Sequence, residues 1–119
     1  MQIKYADGII KISNVLEIIK NPDVLNWQML RDKIEIFPLY EEKDGAKAAF
    51  LRFGPGAVIP DHLHTGYEHI FVLKGLQLDQ FNSYTDFDFV IFTPNSSHKV
   101  ISEQGGLAIA IWQKPIKFL

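Results

Sequence analysis

From Ile34 onward, short β-prone runs are cut by turn residues every 8–12 residues or so, and this rhythm is the tightest constraint on the fold. The runs are Ile34 to Tyr40, Ala46 to Phe53, Ala57 to Leu63, Tyr67 to Leu73, Leu76 to Phe81, Phe87 to Thr93, His98 to Ser102 and Leu107 to Trp112. Glu42-Lys43-Asp44-Gly45, Gly54-Pro55-Gly56, Lys74-Gly75, Asn82-Ser83, Pro94-Asn95-Ser96-Ser97 and Glu103-Gln104-Gly105-Gly106 punctuate them. Eight strands so spaced predict an all-β sandwich or barrel. Leu107 to Trp112 is apolar throughout, which predicts that both of its faces are covered. No helical or internal repeat competes with this reading.

The first part of the chain is different. Lys4 to Ile12 reads as an edge strand turning at Asp7-Gly8. Asn14 to Lys20 reads as a short helix, with Asn14 and Glu17 at the spacing of a capping box, and Asn21-Pro22 ends it. An irregular arm is the alternative. The expected division is an N-terminal arm over 1–26 and a barrel over 27–119.

A chain of 119 residues suits one domain, and 47% apolar with 22% charged residues suits a globular one. A formal net charge of −2 lacks the basic surplus that neutralises phosphates, so a general nucleic-acid binder is not expected. With no cysteine, disulfides and thiolate chemistry are excluded, and any metal must be held by imidazole nitrogen and carboxylate oxygen. Met1 to Ile12 lacks the basic, apolar and small-residue order of a signal peptide. No apolar stretch approaches the roughly 20 residues of a membrane span. A cytoplasmic protein without membrane contact is the expectation.

Chemistry concentrates in Gly56 to Gly75, GAVIPDHLHTGYEHIFVLKG. On a strand, His62 and His64 share one face at about 6.5–7 Å between Cα atoms, so both imidazoles can reach one ion. Thr65-Gly66-Tyr67 turns the chain, with Gly66 expected at positive φ, and Glu68 can face the same interior. His98 opens a distant strand that a closing barrel brings opposite them. His69 follows Glu68 and alternates to the other face, as does Tyr67, so neither is counted with the site. Each feature alone has an ordinary explanation: His-x-His arises on any strand, and a single histidine is usually a surface or core residue. The combination at these spacings is what points to a metal.

The pattern Gly56, His62, His64, Glu68, Gly75 resembles the first motif of the cupin superfamily at every position. Pro94-Asn95-Ser96-Ser97-His98 resembles the second motif less closely. The histidine comes one residue early, serine stands for the motif glycine, the final asparagine is absent, and Phe87-Asp88 stands where many cupins have Gly-Asp. The early histidine, together with Pro55-Gly56-Ala57 through Glu68 and with Trp27 ahead of the first barrel strand, is similar to the ChrR-like cupins of anti-sigma factor C-terminal domains. The resemblance spans roughly residues 27 to 113, and it implies a jelly-roll β-barrel (a double-stranded β-helix). It implies one divalent metal ion (zinc, iron, manganese, nickel or copper) held by His62, His64, Glu68 and His98. Glu68 would be a ligand or a catalytic base beside the ion.

Two function classes follow. The first is a metal-dependent dioxygenase or isomerase acting on a small organic molecule, with Arg52 facing the pocket to hold a carboxylate bidentately. The second is a non-enzymatic zinc-binding sensor or regulator. A metal that only ties the barrel together is a third, structural possibility. The aromatic stretch Phe81 to Phe92, in which Phe87 and Phe89 share a face, either lines the pocket mouth or packs in the core. Cupins often pair, so the resemblance also implies a homodimer.

Overall fold

Alternation along the strands sorts the apolar side chains into two cores on opposite sides of one sheet. The computed structural model describes residues 2–119. Its elements are β1 (Ile3–Ala6), β2 (Ile9–Ile12), α1 (Val15–Lys20), a 3-10 turn (Pro22–Val24), β3 (Gln28–Arg31), β4 (Ile34–Glu41), β5 (Lys47–Phe53), β6 (Ala57–His64), β7 (Glu68–Gly75), β8 (Gln77–Leu78), β9 (Ser83–Tyr84), β10 (Phe89–Phe92), β11 (Ser97–Ser102), β12 (Gly106–Trp112) and β13 (Ile116–Phe118). A six-stranded sheet in the order β10-β7-β12-β5-β4-β3 faces a five-stranded sheet in the order β13-β6-β11-β8-β9. From β5 to β8 and again from β9 to β12, each connection carries the chain from one sheet to the other. That shuttling makes the all-β jelly-roll barrel that the turn rhythm predicts.

Between the sheets lie Ile34, Ile36, Ala49, Leu51, Phe53, Ala57, Ala108 and Ala110. On the outer side of the larger sheet, Phe50, Leu73 and Leu107 pack with Ile3, Ile18 and Leu25. β5 thus alternates between the two cores, and the β1–β2 hairpin and α1 lie over the outer face. β12 is covered as its composition predicts, except that Ile111 is 39% exposed.

Several local expectations change. Asn14 is the residue before α1, but its backbone is left-handed (φ 55°) and its side chain makes no cap. Its Nδ2 donates to Glu17 Oε2 instead, at 3.3 Å, because the left-handed backbone points the amide away from the first-turn N–H groups. The run Leu76 to Phe81 shrinks to the two residues of β8. Asp79 Oδ1 accepts from the backbone N–H groups of Phe81 and Asn82, both at 2.8 Å, and so starts the turn three residues early. The strands β3, β9 and β13 match none of the runs read from the sequence. Gly66 is not at positive φ. A Cβ there would sit 3.0 Å from Gln113 Oε1 and 3.1 Å from Lys114 Cβ, so what glycine relieves here is close approach by those two side chains. At Phe87, where the motif's glycine is replaced, the backbone is left-handed nonetheless (φ 69°). The shortened second turn carries its positive φ at Asn95 (φ 72°), a residue that tolerates it.

Candidate metal centre

β6 and β11 pair so that His98 stands opposite His62, with a register shift before Ile59 and Val100. Across this shift the inward positions of β6 change from Ala57 and Ile59 to His62 and His64. β12 lies beside β7 with Trp112 opposite Glu68, which sets that carboxylate against the indole. The three imidazoles are buried, and their candidate ligand nitrogens all lie within 4.8 Å of one another. Ring centroids are 5.1 Å apart for His62 and His64, 4.6 Å for His62 and His98, and 4.8 Å for His64 and His98.

Hydrogen bonds fix which nitrogen of each ring is free. His62 Nδ1 lies 2.9 Å from the Pro60 carbonyl, which can only accept. His64 Nδ1 lies 3.1 Å from the Ser96 carbonyl and 2.9 Å from Ser96 Oγ, whose own proton goes to the Thr93 carbonyl at 2.7 Å. His98 Nδ1 lies 2.9 Å from Asp79 Oδ2. All three rings therefore donate through Nδ1 and keep Nε2 for the interior, the arrangement by which outer partners orient metal-binding histidines. Burial pushes His62 below its ordinary pKa, and His98 and His64 add to this against the Pro60 hydrogen bond and Glu68, so the ring favours its neutral, ligating form.

Glu68 stands beside these three rings, outside the group whose ligand atoms converge. Trp112 Nε1 donates to its Oε1 at 2.9 Å. Its Oε2 lies 3.3 Å from His64 Nε2, and both atoms are buried without a hydrogen-bond partner. Two acceptors facing each other at that distance require a proton or a cation between them. Three imidazole nitrogens and one carboxylate oxygen fit a borderline divalent ion.

Asp79 is a site residue that the sequence reading missed. Its side chain is fully enclosed and its Oδ2 also accepts from Tyr84 OH at 2.6 Å. Burial works to raise its pKa, but hydrogen bonds from His98, Tyr84, Asn82 and Phe81 outweigh this and hold it at about 2. Burial and Asp79 push the Tyr84 phenol up to about 12. The sequence signal for it is Asp79-Gln80-Phe81-Asn82, an Asp-initiated turn at the end of the run Leu76 to Phe81.

Next to the imidazoles is a cavity of about 350 Å³. His62, Glu68, His98 and Tyr84 line it together with apolar groups such as Leu51, Ile70, Val90 and Val100. Phe92 stacks on His64 at 4.8 Å, and Phe118 of β13 stands opposite His62 in the register.

Arg52 is placed elsewhere. It shares the outward parity of Phe50 on β5, and it is not among the residues lining the cavity. Its guanidinium bonds Asp23 Oδ1 at 2.7 Å and Glu35 Oε1 at 3.0 Å and lies 4.8 Å over the Trp27 ring. The expectation that it meets a substrate carboxylate fails on strand parity, since two acids already occupy the fork. His69 is on the outer face as expected, its ring stacked on Phe89 at 6.0 Å. Phe87 and Phe89 share that outer side, and both are exposed, so they neither line the cavity nor fill the core.

Residues 16–117 match the family model described as the ChrR cupin-like domain. Among solved structures, a chain in the complex of Rhodobacter sphaeroides SigE with the anti-sigma ChrR aligns at 24% identity and a TM-score of 0.66, over 75% of this chain and 49% of that one. A protein of unknown function with a cupin-like fold from Ralstonia eutropha aligns at 23% identity and 0.63, over 67% and 54%. An acetylacetone dioxygenase from Acinetobacter johnsonii aligns at 15% identity and 0.74, over 98% and 80%. The chain thus spans about half the length of the first two. These likenesses establish the fold. No curated protein matches the sequence. Among the described residues, no helix is long and apolar enough to cross a membrane.

Proposed function

The chain belongs to the ChrR cupin-like domain family, and from that premise we propose that it holds one divalent ion through His62, His64, His98 and Glu68 and oxidises a small organic molecule with dioxygen at that ion. The carrying observation is the free Glu68 Oε2 aimed at His64 Nε2, among three rings whose protons all point away, at the wall of a cavity. A purely structural site needs no adjoining space, and a space of about 350 Å³ is within the range of small-molecule pockets. A bound ion would supply Lewis acidity toward a ligand oxygen. The chain's own groups do the rest. Trp112 holds one Glu68 oxygen so that the other serves as ligand or base, and the apolar wall excludes water.

Metal content and oxygen uptake test this. His62→Ala and His98→Ala lose most bound metal, whereas His69→Ala keeps it; equal retention in all three removes the ligand assignment. Iron-loaded protein consumes oxygen with some member of a panel of β-diketones and small phenolics. If no iron-loaded sample takes up oxygen, the second reading stands: a non-enzymatic metal-binding regulator. The likeness to a chain of the anti-sigma complex favours that reading.

We also propose a homodimer, formed through the exposed strip of Phe87, Phe89, Ile91 and Ile111 on the outer sheet face. Light scattering on the wild type and on Phe89→Lys tests it, a monomer in both being the refuting result. We also propose an arm over 1–26 and a barrel over 27–119; among the described residues of the arm, Ile3, Ile18 and Leu25 shield Phe50, Leu73 and Leu107.

A further inference from the structure

Gln77 is 7% exposed, lines the same cavity as His62, Glu68 and His98, and its Nε2 has no hydrogen-bond partner. A buried amide left unpaired costs free energy that an acceptor in the cavity would recover. The register places it far from the imidazoles. Ile101 pairs with Leu78, which sets Gln77 alongside Ser102, two inward positions beyond His98 on β11. At about 6.5–7 Å per inward step, the two backbones are roughly 13 Å apart along the barrel. The wall between them is apolar, including Val100, Leu51 and Ile70. The broad terminal torsion of glutamine lets the amide turn toward that space. Of the other polar residues that line the cavity away from the imidazoles and Glu68, Tyr84 OH already donates to Asp79, Lys47 pairs with Glu41 at 3.1 Å, and the Arg31 guanidinium lies over the Phe118 ring.

Resting on the metal reading above, we propose that Gln77 anchors the far end of the ligand. The cavity takes an elongated, mostly hydrocarbon molecule that offers the ion an oxygen at one end and offers Gln77 a hydrogen-bond acceptor at the other. The residue is specificity-determining: it selects for the distal acceptor and has no part in holding the ion.

Zinc-loaded protein is titrated calorimetrically with benzohydroxamic acid, a chelator with an apolar ring, and with its meta- and para-acetyl and para-amino derivatives. One acetyl isomer is expected to bind about 3–10-fold tighter than the parent, the worth of one neutral hydrogen bond. This gain should vanish in Gln77→Leu and Gln77→Met, which keep the apolar packing, while the parent's affinity and the zinc content stay unchanged. In 15N spectra the Gln77 side-chain amide should shift with the acetyl probe and not with the parent. No acetyl gain in the wild type, the same gain in both variants, or a preference for the amino derivative overturns the anchor. Failure of the parent to bind zinc-loaded protein, or equal binding to His98→Ala, overturns the metal reading and the anchor with it.

Discussion

Replacing Asp79 by asparagine should cripple metal binding through a single proton. Four donors converge on this carboxylate: two backbone N–H groups on Oδ1, and Tyr84 OH with His98 Nδ1 on Oδ2. In Asp79→Asn the carbonyl oxygen must stay with the two backbone donors, because they cannot reverse. The new NH2 group then faces Tyr84 and His98. The hydroxyl can rotate and accept. His98 can accept only by moving its proton from Nδ1 to Nε2, which removes the lone pair the ion needs; otherwise it leaves two donors in conflict. Loss of such an outer partner typically lowers metal affinity 10–100-fold, or about 1.4–2.7 kcal/mol. Competition of zinc against a chelator measures the affinity, and 15N spectra of the metal-free protein report which His98 nitrogen carries the proton. Tyr84→Phe is the control, since it removes one donor and leaves the carboxylate on His98; its affinity should change less than about 3-fold. Wild-type affinity in Asp79→Asn, or an unmoved His98 proton, would refute the argument.

Three further outcomes follow from the packing. Ile18, on the arm's own helix α1, is fully buried against the outer face of the larger sheet, and Ile18→Ala should cost about 2–5 kcal/mol in denaturant unfolding while the folded protein keeps its zinc affinity. At Gly75 φ is +99°, and a Cβ would collide with the Gly105 carbonyl and lie 2.7 Å from Gly106 Cα. Gly75→Ala should therefore destabilise by at least about 2 kcal/mol, seen as a lowered melting temperature. The metal-free protein should lose stability as the pH falls from about 4 toward about 2. Asp79 is held at about 2 when folded and titrates near 3.9 when unfolded, so its contribution is full above the higher value and gone below the lower. Asp79→Asn should lack this component in acid unfolding curves.

The repetitive features of this chain were readable because each depends on few atoms. Strand parity put His62, His64, Glu68 and His98 on one interior and His69 outside, and glycine and proline marked the turns between. What escaped depended on partners distant in sequence. Parity at Arg52 was set by the arm covering Phe50 and not its neighbours Ala49 and Leu51, which no local pattern encodes. Asp79 belongs to the site only because β8 runs beside β11, and β13 is a strand only because β6 offers it an edge. The positive φ expected at Gly66 is not there; what crowds it instead are the side chains of residues 113 and 114, far along the chain, and only folding reveals that.

The imidazole protons are held by Pro60 within β6 and by Ser96 and Asp79 in two turns, three separate places that do not line the cavity. Ring tilt is thus governed from the periphery, one lever per ring. Evolution or an engineer could retune preference among cations by altering a loop while leaving every cavity-lining atom untouched. Comparisons restricted to the coordinating quartet would rank such variants as identical.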